Sequence, residues 1–240
     1  MPEGRGVIVI PAYNEEENIG AVVVELLEES LGLDILIVDD GSKDGTPDRL
    51  RGLPVHVLSH PMNLGYGVAV QTGFKYAVLR GYDFLVLMDA DGQHVPSQVR
   101  LLLEELDRER DIVIGSRLAG DAGGYRIPFL RRAGIRFFSF LAKVLGGVSI
   151  RDVTSGFQAM RREVFLLLAE EYPTDFPDAE VVIMLGLKRF RLAEVPTLVR
   201  ERKRGKSMYS SLGTVLYYPF KSILASFIVL LRLFREREGR

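Results

Sequence analysis

Cysteine is absent from the 240-residue chain, which excludes disulfide bonds and thiolate metal sites. Neither sign of charge dominates, because 31 lysine and arginine residues stand against 32 aspartate and glutamate residues. We therefore expect no nucleic-acid partner, since no overall positive field would attract one. The sequence also lacks the G-x-G-x-x-G pattern of dinucleotide-binding loops and the G-x-x-x-x-G-K-[ST] pattern of P-loops. Any bound phosphate must then be held by a metal ion and by basic side chains.

A long apolar segment is also missing. The apolar run at residues 223–231 is shorter than the roughly 20 residues that cross a bilayer, and Lys221 interrupts its extension. Residues 191–240 nevertheless contain eleven basic and four acidic residues. We expect residues 211–240 to form an amphipathic helix that lies on a membrane surface. The first residues lack the basic start and long apolar region of a secretory signal, so we expect a peripheral protein on the cytoplasmic face of the cell membrane.

Short apolar runs alternate with helical patterns through the first half of the chain, which predicts an α/β fold with a mostly parallel central sheet. Asn14 is expected to cap the first helix, Thr46 to cap the second with Pro47 in its first turn, and Pro96 to open a helix that ends near residue 107. The predicted strands are residues 7–10, 35–38, 55–58, 84–88 and 112–114.

Polar side chains cluster where three of the predicted strands end. Asn14 and Glu15 follow the first strand, residues 39–42 follow the second, and residues 89–94 follow the fourth. Ligands of open α/β sheets bind outside the carboxyl ends of the strands. We therefore expect the three clusters to face a single crevice.

Asp89 and Asp91 are the pair with the clearest chemistry. A tight turn at Gly92 would aim both carboxylates at one point, which suits a hard divalent cation that also binds a diphosphate. Gln93 could add a further oxygen or orient a bound water. An isolated Asp-Ala-Asp-Gly sequence is also an ordinary turn, so this motif alone leaves both interpretations open.

Two other groups of residues have weaker signals. Asp39 and Asp40 can accept hydrogen bonds from a base or ribose, and Tyr13 offers a face for stacking, although turn formation and helix capping need no ligand. Residues 122–151 contain six basic residues, no acidic residue and several aromatic residues. This basic amphipathic segment favours contact with anionic lipid headgroups over simple packing on the core.

Several motifs together resemble the inverting family 2 glycosyltransferases. The match rests on VIPAYNE at residues 9–15, VDDGSKDGT at 38–46, NLG at 63–65, DADGQH at 89–94 and GSR at 115–117. TSGF at residues 154–157 and RKRGKS at 202–207 are similar to the polyprenyl (dolichyl) phosphate mannose or glucose synthase branch.

The resemblance implies a GT-A (Rossmann-like) nucleotide-diphospho-sugar transferase fold. Residues 1–210 would be the catalytic domain, including the segment 122–151, and residues 211–240 the membrane-interface helix. The donor would be GDP-mannose or UDP-glucose, the acceptor a polyprenyl phosphate, and the cofactor Mg²⁺ or Mn²⁺. The implied metal ligands are Asp89, Asp91 and Gln93, and the implied catalytic residues are Asp91 and Arg117. The implied donor-binding residues are Pro11, Tyr13, Glu15, Val38, Asp39, Asp40, Asp89, Ala90, Asp91, Gln93, Arg117, Arg202 and Lys206. The implied contacts to the acceptor phosphate are Arg117, Arg131 and Ser207.

Two other functions remain open on the sequence, and a third is disfavoured. A family 2 transferase with a hydroxyl acceptor would need a carboxylate base, for which Asp178 and Glu180 are candidates. A non-catalytic protein that binds nucleotide sugars at a membrane is the second. A haloacid-type phosphatase also has an Asp-x-Asp pair, but on the first strand of its domain.

Overall fold

The computed structural model describes residues 1–119, 129–173 and 179–200, and of residues 129–131 it describes the backbone alone. The predicted residue-210 boundary and the helix predicted for residues 211–240 lie outside these ranges. The described strands are β1 Gly6–Ala12, β2 Asp34–Asp39, β3 His56–Ser59, β4 Phe84–Leu87, β5 Ile112–Ser116, β6 Gln158–Arg161 and β7 Leu192–Pro196.

These strands form one sheet in the order β3-β2-β1-β4-β6-β5-β7. Strand β6 runs antiparallel to both of its neighbours, and the other pairs are parallel. The predicted mostly parallel sheet and its five predicted strands are confirmed. Strands β6 and β7 were not predicted. Because β1, β2 and β4 are parallel neighbours, their carboxyl ends open at the same edge of the sheet.

Helices cover both faces of the sheet. Their bounds are α1 Ile19–Glu28, α2 Thr46–Leu50, α3 Tyr66–Arg80, α4 Val99–Asp107, α5 Phe129–Gly146, α6 Arg162–Glu171 and α7 Ala179–Leu187. Alternate residues of β1 point to opposite faces, so Val7 and Val9 pack with α3 and α6 while Ile8 and Ile10 pack with α1 and α4. Helix α3 approaches β1 closely, since a Cβ on Gly73 would overlap the side chain of Val9. Every residue of β1 is buried, so the crevice rests on a rigid base.

The predicted helix starts are partly wrong. Helix α1 begins at Ile19, because the N–H groups of Asn18 and Ile19 first form a turn on the carbonyl of Glu15. Asn14 lies in that loop at φ 53° and does not cap the helix. Helix α2 begins at Thr46 with Pro47 in its first turn, but Gly45 occupies the cap position predicted for Thr46. Pro96 opens a short 3₁₀ turn, Pro96–Gln98, that leads into α4.

Helix α5 lies within the predicted basic amphipathic segment. Ile135, Phe138 and Ala142 are buried on one side, whereas Phe137 and Phe140 are exposed on the other. Among the described helices, none has the length and apolar character needed to span a membrane.

Candidate active site

The loop after β1 and the turn after β2 are joined side by side. The backbone N–H of Asn14 donates to Ser42 Oγ (2.9 Å), and the N–H of Lys43 donates to Asn14 Oδ1 (2.8 Å). The N–H of Glu15 donates to Thr46 Oγ1 (2.8 Å). These bonds make one continuous wall of the crevice. Pro11 and Val38 are paired in the sheet beneath this wall and are buried.

Tyr13 and Glu15 differ in exposure within this wall. The side chain of Tyr13 is 41% exposed, as a residue that stacks on a base must be in the absence of ligand. Glu15 Oε2 accepts a hydrogen bond from Asn18 Nδ2 (2.7 Å), which orients its carboxylate beside the start of α1.

Asp40 is buried and anchors the loop that follows β3. Its Oδ1 is 2.7 Å from His60 Nδ1 and accepts from Leu64 N (2.9 Å), while Oδ2 accepts from Gly65 N (2.8 Å). His60 Nε2 lies 3.0 Å from Thr72 Oγ1, which extends the contact to α3. Asp40 therefore links the ends of β2 and β3 to the start of α3.

Asp39 is also buried, and its Oδ1 accepts from Ser42 N (3.1 Å). This bond closes the turn in which Gly41 has φ 69°. A Cβ at Gly41 would overlap the backbone of Met62, so glycine is required for the two loops to meet.

The loop after β4 carries Asp89 and Asp91. Asp89 Oδ1 accepts from the Tyr66 hydroxyl at the start of α3 (3.0 Å), and Oδ2 lies 3.4 Å from His94 Nε2. Asp91 Oδ1 accepts from Gln93 N (3.0 Å) across the turn at Gly92. Both carboxylates are partly exposed at the crevice.

The charge of Asp89 is set by its neighbours. Burial acts to raise the pKa of Asp89, but the hydrogen bond and positive charge of His94, the Tyr66 hydroxyl and the Arg117 cation together hold that pKa below its usual value. Asp89 is therefore ionised at neutral pH, and it can only accept hydrogen bonds in that state. A Cβ at Gly156 would come within 2.6 Å of Asp89 Oδ2, so glycine there leaves room for the carboxylate.

His94 is held by stacking and by Asp89. Its ring stacks on Phe157 with centroids 4.8 Å apart, and the residue is 7% exposed. Among the described residues, Nδ1 of His94 has no hydrogen-bond partner.

Arg117 is fixed by Asp152. Its Nε and Nη2 donate to the two carboxylate oxygens of Asp152, both at 2.7 Å, and Nη2 also donates to Thr154 Oγ1 at 2.9 Å. The side chains of Arg117 and Asp152 are 10% and 0% exposed, respectively. Burial acts to raise the pKa of Asp152, but the hydrogen bonds and charge of Arg117 hold it below its usual range. Arg117 is a permanent cation whose field reaches Asp89.

The oxygen donors present fit a divalent metal. Asp89, Asp91 and Gln93 supply two carboxylates and one amide, which suits Mg²⁺ or Mn²⁺ when a diphosphate provides further oxygens. Within residues 1–119, 129–173 and 179–200, no group of three or more histidine, aspartate or glutamate side chains is arranged to hold a metal by itself. Ala90 lies between the two aspartates and is buried, so it can offer its backbone alone.

Several predicted site residues lie outside the described residues: Arg202, Lys206, Ser207 and Asp178. Arg131 lies in α5, and the structure describes its backbone alone. Glu180 lies in the first turn of α7. The roles predicted for these residues stay predictions.

Sequence reasoning missed three residues that shape the site, namely His60, Tyr66 and Asp152. Tyr66 directly follows the NLG motif and Asp152 precedes the TSGF motif, so proximity to a motif was the available signal. His60 had no signal, because it acts through Asp40, which is 20 residues away.

The α/β sheet with an acidic crevice at its carboxyl edge has the GT-A fold of nucleotide-diphospho-sugar transferases. A solved structure of this class is similar to the chain, namely glucosyl-3-phosphoglycerate synthase from Mycobacterium tuberculosis in complex with Mn²⁺, UDP-glucose and phosphoglyceric acid. The TM-score is 0.68 at 21% identity, covering 94% of this chain and 79% of that one. This similarity confirms the predicted fold.

The sequence comparisons place the chain within that class. Residues 7–167 match the model of glycosyl transferase family 2, and the chain belongs to that family. It is 34% identical over 227 residues to the polyprenol monophosphomannose synthase of Mycolicibacterium smegmatis, covering 87% of this chain and 82% of that protein. It is 35% identical over 215 residues to the undecaprenyl-phosphate mannosyltransferase of Micrococcus luteus, covering 86% of this chain and 88% of that protein. The narrower resemblance to the polyprenyl phosphate branch is thereby confirmed.

Proposed function

We propose that this protein transfers a hexose from a nucleoside-diphosphate sugar to a polyprenyl phosphate with inversion, forming a lipid-phosphate-linked sugar. The observation that carries the proposal is 34% and 35% identity, over most of their length, to two relatives named for mannosyl transfer to polyprenyl phosphates. Mannose from GDP-mannose is therefore favoured, and glucose from UDP-glucose is the alternative. The wall from Tyr13 to Asp40 would hold the nucleoside, and the loop after β4 would hold the diphosphate.

The metal dependence of the reaction belongs to this proposal. Asp89, Asp91 and Gln93 would hold Mg²⁺ or Mn²⁺ against the diphosphate of the donor. The bound metal would neutralise the negative charge that grows on the leaving diphosphate. In support, a structural neighbour contains Mn²⁺ together with UDP-glucose.

The acceptor phosphate is already an anion at neutral pH, so the reaction needs no strong general base. One of its oxygens attacks the anomeric carbon from the side opposite the diphosphate. The bond between that carbon and the diphosphate oxygen breaks, and both electrons leave with the nucleoside diphosphate. The requirement is then for fixed positive charge rather than proton removal.

Arg117 supplies such a fixed charge. The fork of hydrogen bonds to Asp152 fixes the Arg117 side chain, which is 10% exposed, so it needs little rearrangement when substrate binds. We assign Arg117 to the phosphate groups of donor and acceptor, with Arg202, Lys206, Arg131 and Ser207 as further contacts.

Helix α5 suits a membrane surface. Phe137, Phe140 and Val144 are 44%, 61% and 60% exposed, and Arg136 and Lys143 are exposed on the same helix. Apolar side chains flanked by cations bind anionic headgroups, and this face would bring the crevice to a lipid phosphate. We therefore propose peripheral association with the cytoplasmic face of the membrane.

The test is transfer of radiolabelled mannose from GDP-mannose, and of glucose from UDP-glucose, to a short polyprenyl phosphate in detergent. Each reaction is run with Mg²⁺, with Mn²⁺ and with chelator, against the Asp91→Ala variant. We expect metal-dependent label in the lipid phase with one donor. Donor binding without lipid labelling would reject the polyprenyl phosphate acceptor, and a hydroxyl acceptor with Glu180 as a candidate base would be tested next.

A further inference from the structure

Residues 197–200, which follow β7, pair with the loop that carries the predicted metal ligands. Val199 forms an antiparallel bridge with His94, and the N–H of Arg200 donates to the carbonyl of Gln93 (2.9 Å). One turn further along, the N–H of Leu198 donates to Gln98 Oε1 (2.9 Å). We call residues 197–200 the tether segment. It acts as a short additional strand against the loop after β4.

The tether segment also fixes the side chain of Gln93. Gln93 Nε2 donates to the carbonyl oxygen of Arg200 at 3.3 Å. A carbonyl only accepts hydrogen bonds, so the amide nitrogen must face the tether segment. The amide oxygen, which is the atom a metal ligand offers, is then turned to the other side. The position of Arg200 thus decides which end of the Gln93 amide is available.

Arg200 is anchored outside the loop by an ion pair. Its Nη1 donates to Glu25 Oε2 on helix α1 at 2.6 Å, and the two side chains are 40% and 38% exposed. Four buried residues hold α1 in the core, namely Ile19, Val22, Val23 and Leu26. The helix is therefore a firm support for one end of the ion pair.

The ion pair crosses a gap that packing does not fill. A cavity of about 190 Å³ lies between α1 and the loop, and its lining includes Glu25, Asp91, Gly92, His94 and Arg200. An exposed ion pair such as that of Glu25 and Arg200 contributes little to the stability of a fold. Its geometric effect is to hold the tether segment at a fixed distance from α1.

We propose that Glu25 and Arg200 are positioning residues that orient Gln93 for the metal-diphosphate complex of the donor. The inference rests on the proposed function, because it concerns the metal site assigned there. Neither residue touches the reacting atoms in this scheme. They act through the tether segment and the Gln93 amide.

The test measures metal affinity directly, without turnover. Free Mn²⁺ is titrated into the full chain with saturating GDP or UDP, and the unbound ion is followed by its electron paramagnetic resonance signal. Loss of a residue that orients a metal ligand weakens metal affinity by about 10-fold. We expect this loss in Glu25→Ala and in Arg200→Ala, and a smaller one in Arg200→Lys, which keeps the cation.

Gln93→Ala provides the decisive comparison. If Arg200 acts through Gln93, adding Arg200→Ala to Gln93→Ala causes no further loss, whereas independent effects would multiply. Multiplying effects, or unchanged affinity in both single variants, would overturn the inference. The matched control is Arg5→Ala, which removes an ion pair to Asp34 (3.2 Å) at the start of β1 and should leave Mn²⁺ affinity unchanged.

Two further readouts separate the possible failures. Thermal melting shows whether a variant is folded, and Glu25→Ala keeps the test valid if Arg200→Ala does not fold, because Glu25 lies on the surface of α1. If the unaltered protein fails to bind Mn²⁺ both in the presence of GDP and in the presence of UDP, the proposed function fails together with the inference. If it binds Mn²⁺ normally and the variants do too, the inference fails alone.

Discussion

Two acidic pairs end strands on either side of β1, and their surroundings differ. Asp40, after β2, is 3% exposed and receives hydrogen bonds from Leu64 and Gly65 as well as contact with His60. Asp89, after β4, is 31% exposed and is contacted by the tips of two side chains, Tyr66 and His94. The Asp40 carboxylate accepts hydrogen bonds from backbone N–H groups, whereas the Asp89 carboxylate is partly exposed at the crevice.

This difference indicates a structural use of Asp40 and supports the ligand-binding use that we propose for Asp89. A carboxylate that accepts several buried N–H groups stabilises those groups, and its removal leaves them without partners. A partly exposed carboxylate beside a fixed cation keeps its charge available for a metal or substrate. The two pairs look alike in sequence, so variants at each pair test the distinction.

The largest expected effect is on turnover, at the β4 pair. Replacing Asp91 by alanine removes a predicted metal ligand, and the loss of charge stabilisation should lower the transfer rate at least about 100-fold. The melting temperature should change by less than about 2 °C, since Asp91 lies in a partly exposed turn. Initial transfer rates check this, with Asp48→Ala on the exposed surface of α2 as the control. Retention of more than a tenth of the rate would contradict the assignment.

At the β2 pair we expect the effect on stability rather than on turnover. Asparagine at position 40 keeps one accepting oxygen but turns an N–H₂ group toward the partly buried N–H donors of Leu64 and Gly65, which costs about 2 kcal/mol. For a chain of this size the melting temperature should fall by about 4–8 °C. Calorimetry checks this, and Asp39→Asn is the control because its Oδ1 can still accept from Ser42. If Asp40→Asn melts like the unaltered protein, Asp40 is not the anchor that the comparison requires.

A third carboxylate, that of Asp152, also has a structural use, because both of its oxygens accept hydrogen bonds from Arg117. Its pKa is lowered in the folded state, so its contribution to stability is present above the unfolded value of about 3.9 and is lost as pH falls through the folded value. One such group changes the unfolding free energy by up to about 1.4 kcal/mol per pH unit in that window. Unfolding free energies measured with urea between pH 2 and 5 should rise less steeply with pH in Asp152→Asn than in the unaltered protein. Equal slopes would mean that Asp152 titrates alike in both states.

The sequence was sufficient for the buried parallel strands. Strands β1, β2 and β4 are continuous apolar runs, and such runs predict strands buried on both faces. Strand β6 has the sequence QAMR, which alternates too briefly to be recognised. Strand β7 includes Glu194 and Pro196 and lies half-buried at the edge of the sheet, so its pattern resembles a loop.

The site was predictable as a set of loops but not as a set of contacts. The motifs gave Asp39, Asp40, Asp89 and Asp91, since carboxyl ends of parallel strands share one edge. The pairing of Arg117 with Asp152 spans 35 residues and two loops, and no local pattern encodes such a partner. Asn14 was misjudged for a similar reason, because its amide oxygen binds the N–H of Lys43 in the neighbouring loop rather than its own helix.

The smallest expected effect concerns a single hydrogen bond, the one that Tyr66 donates to Asp89. Tyr66→Phe removes the hydroxyl that donates to Asp89 Oδ1 (3.0 Å), and a bond of this kind contributes about 1 kcal/mol, so transfer should fall about fivefold. Tyr76→Phe on the same helix is the matched control, since its ring packs with His56 and Tyr82 away from the crevice. Steady-state rates and melting curves are measured on both variants. If Tyr66→Phe lowers stability rather than turnover, Asp89 shares the structural use of Asp40, and the distinction between the two pairs would then rest on Asp91 alone.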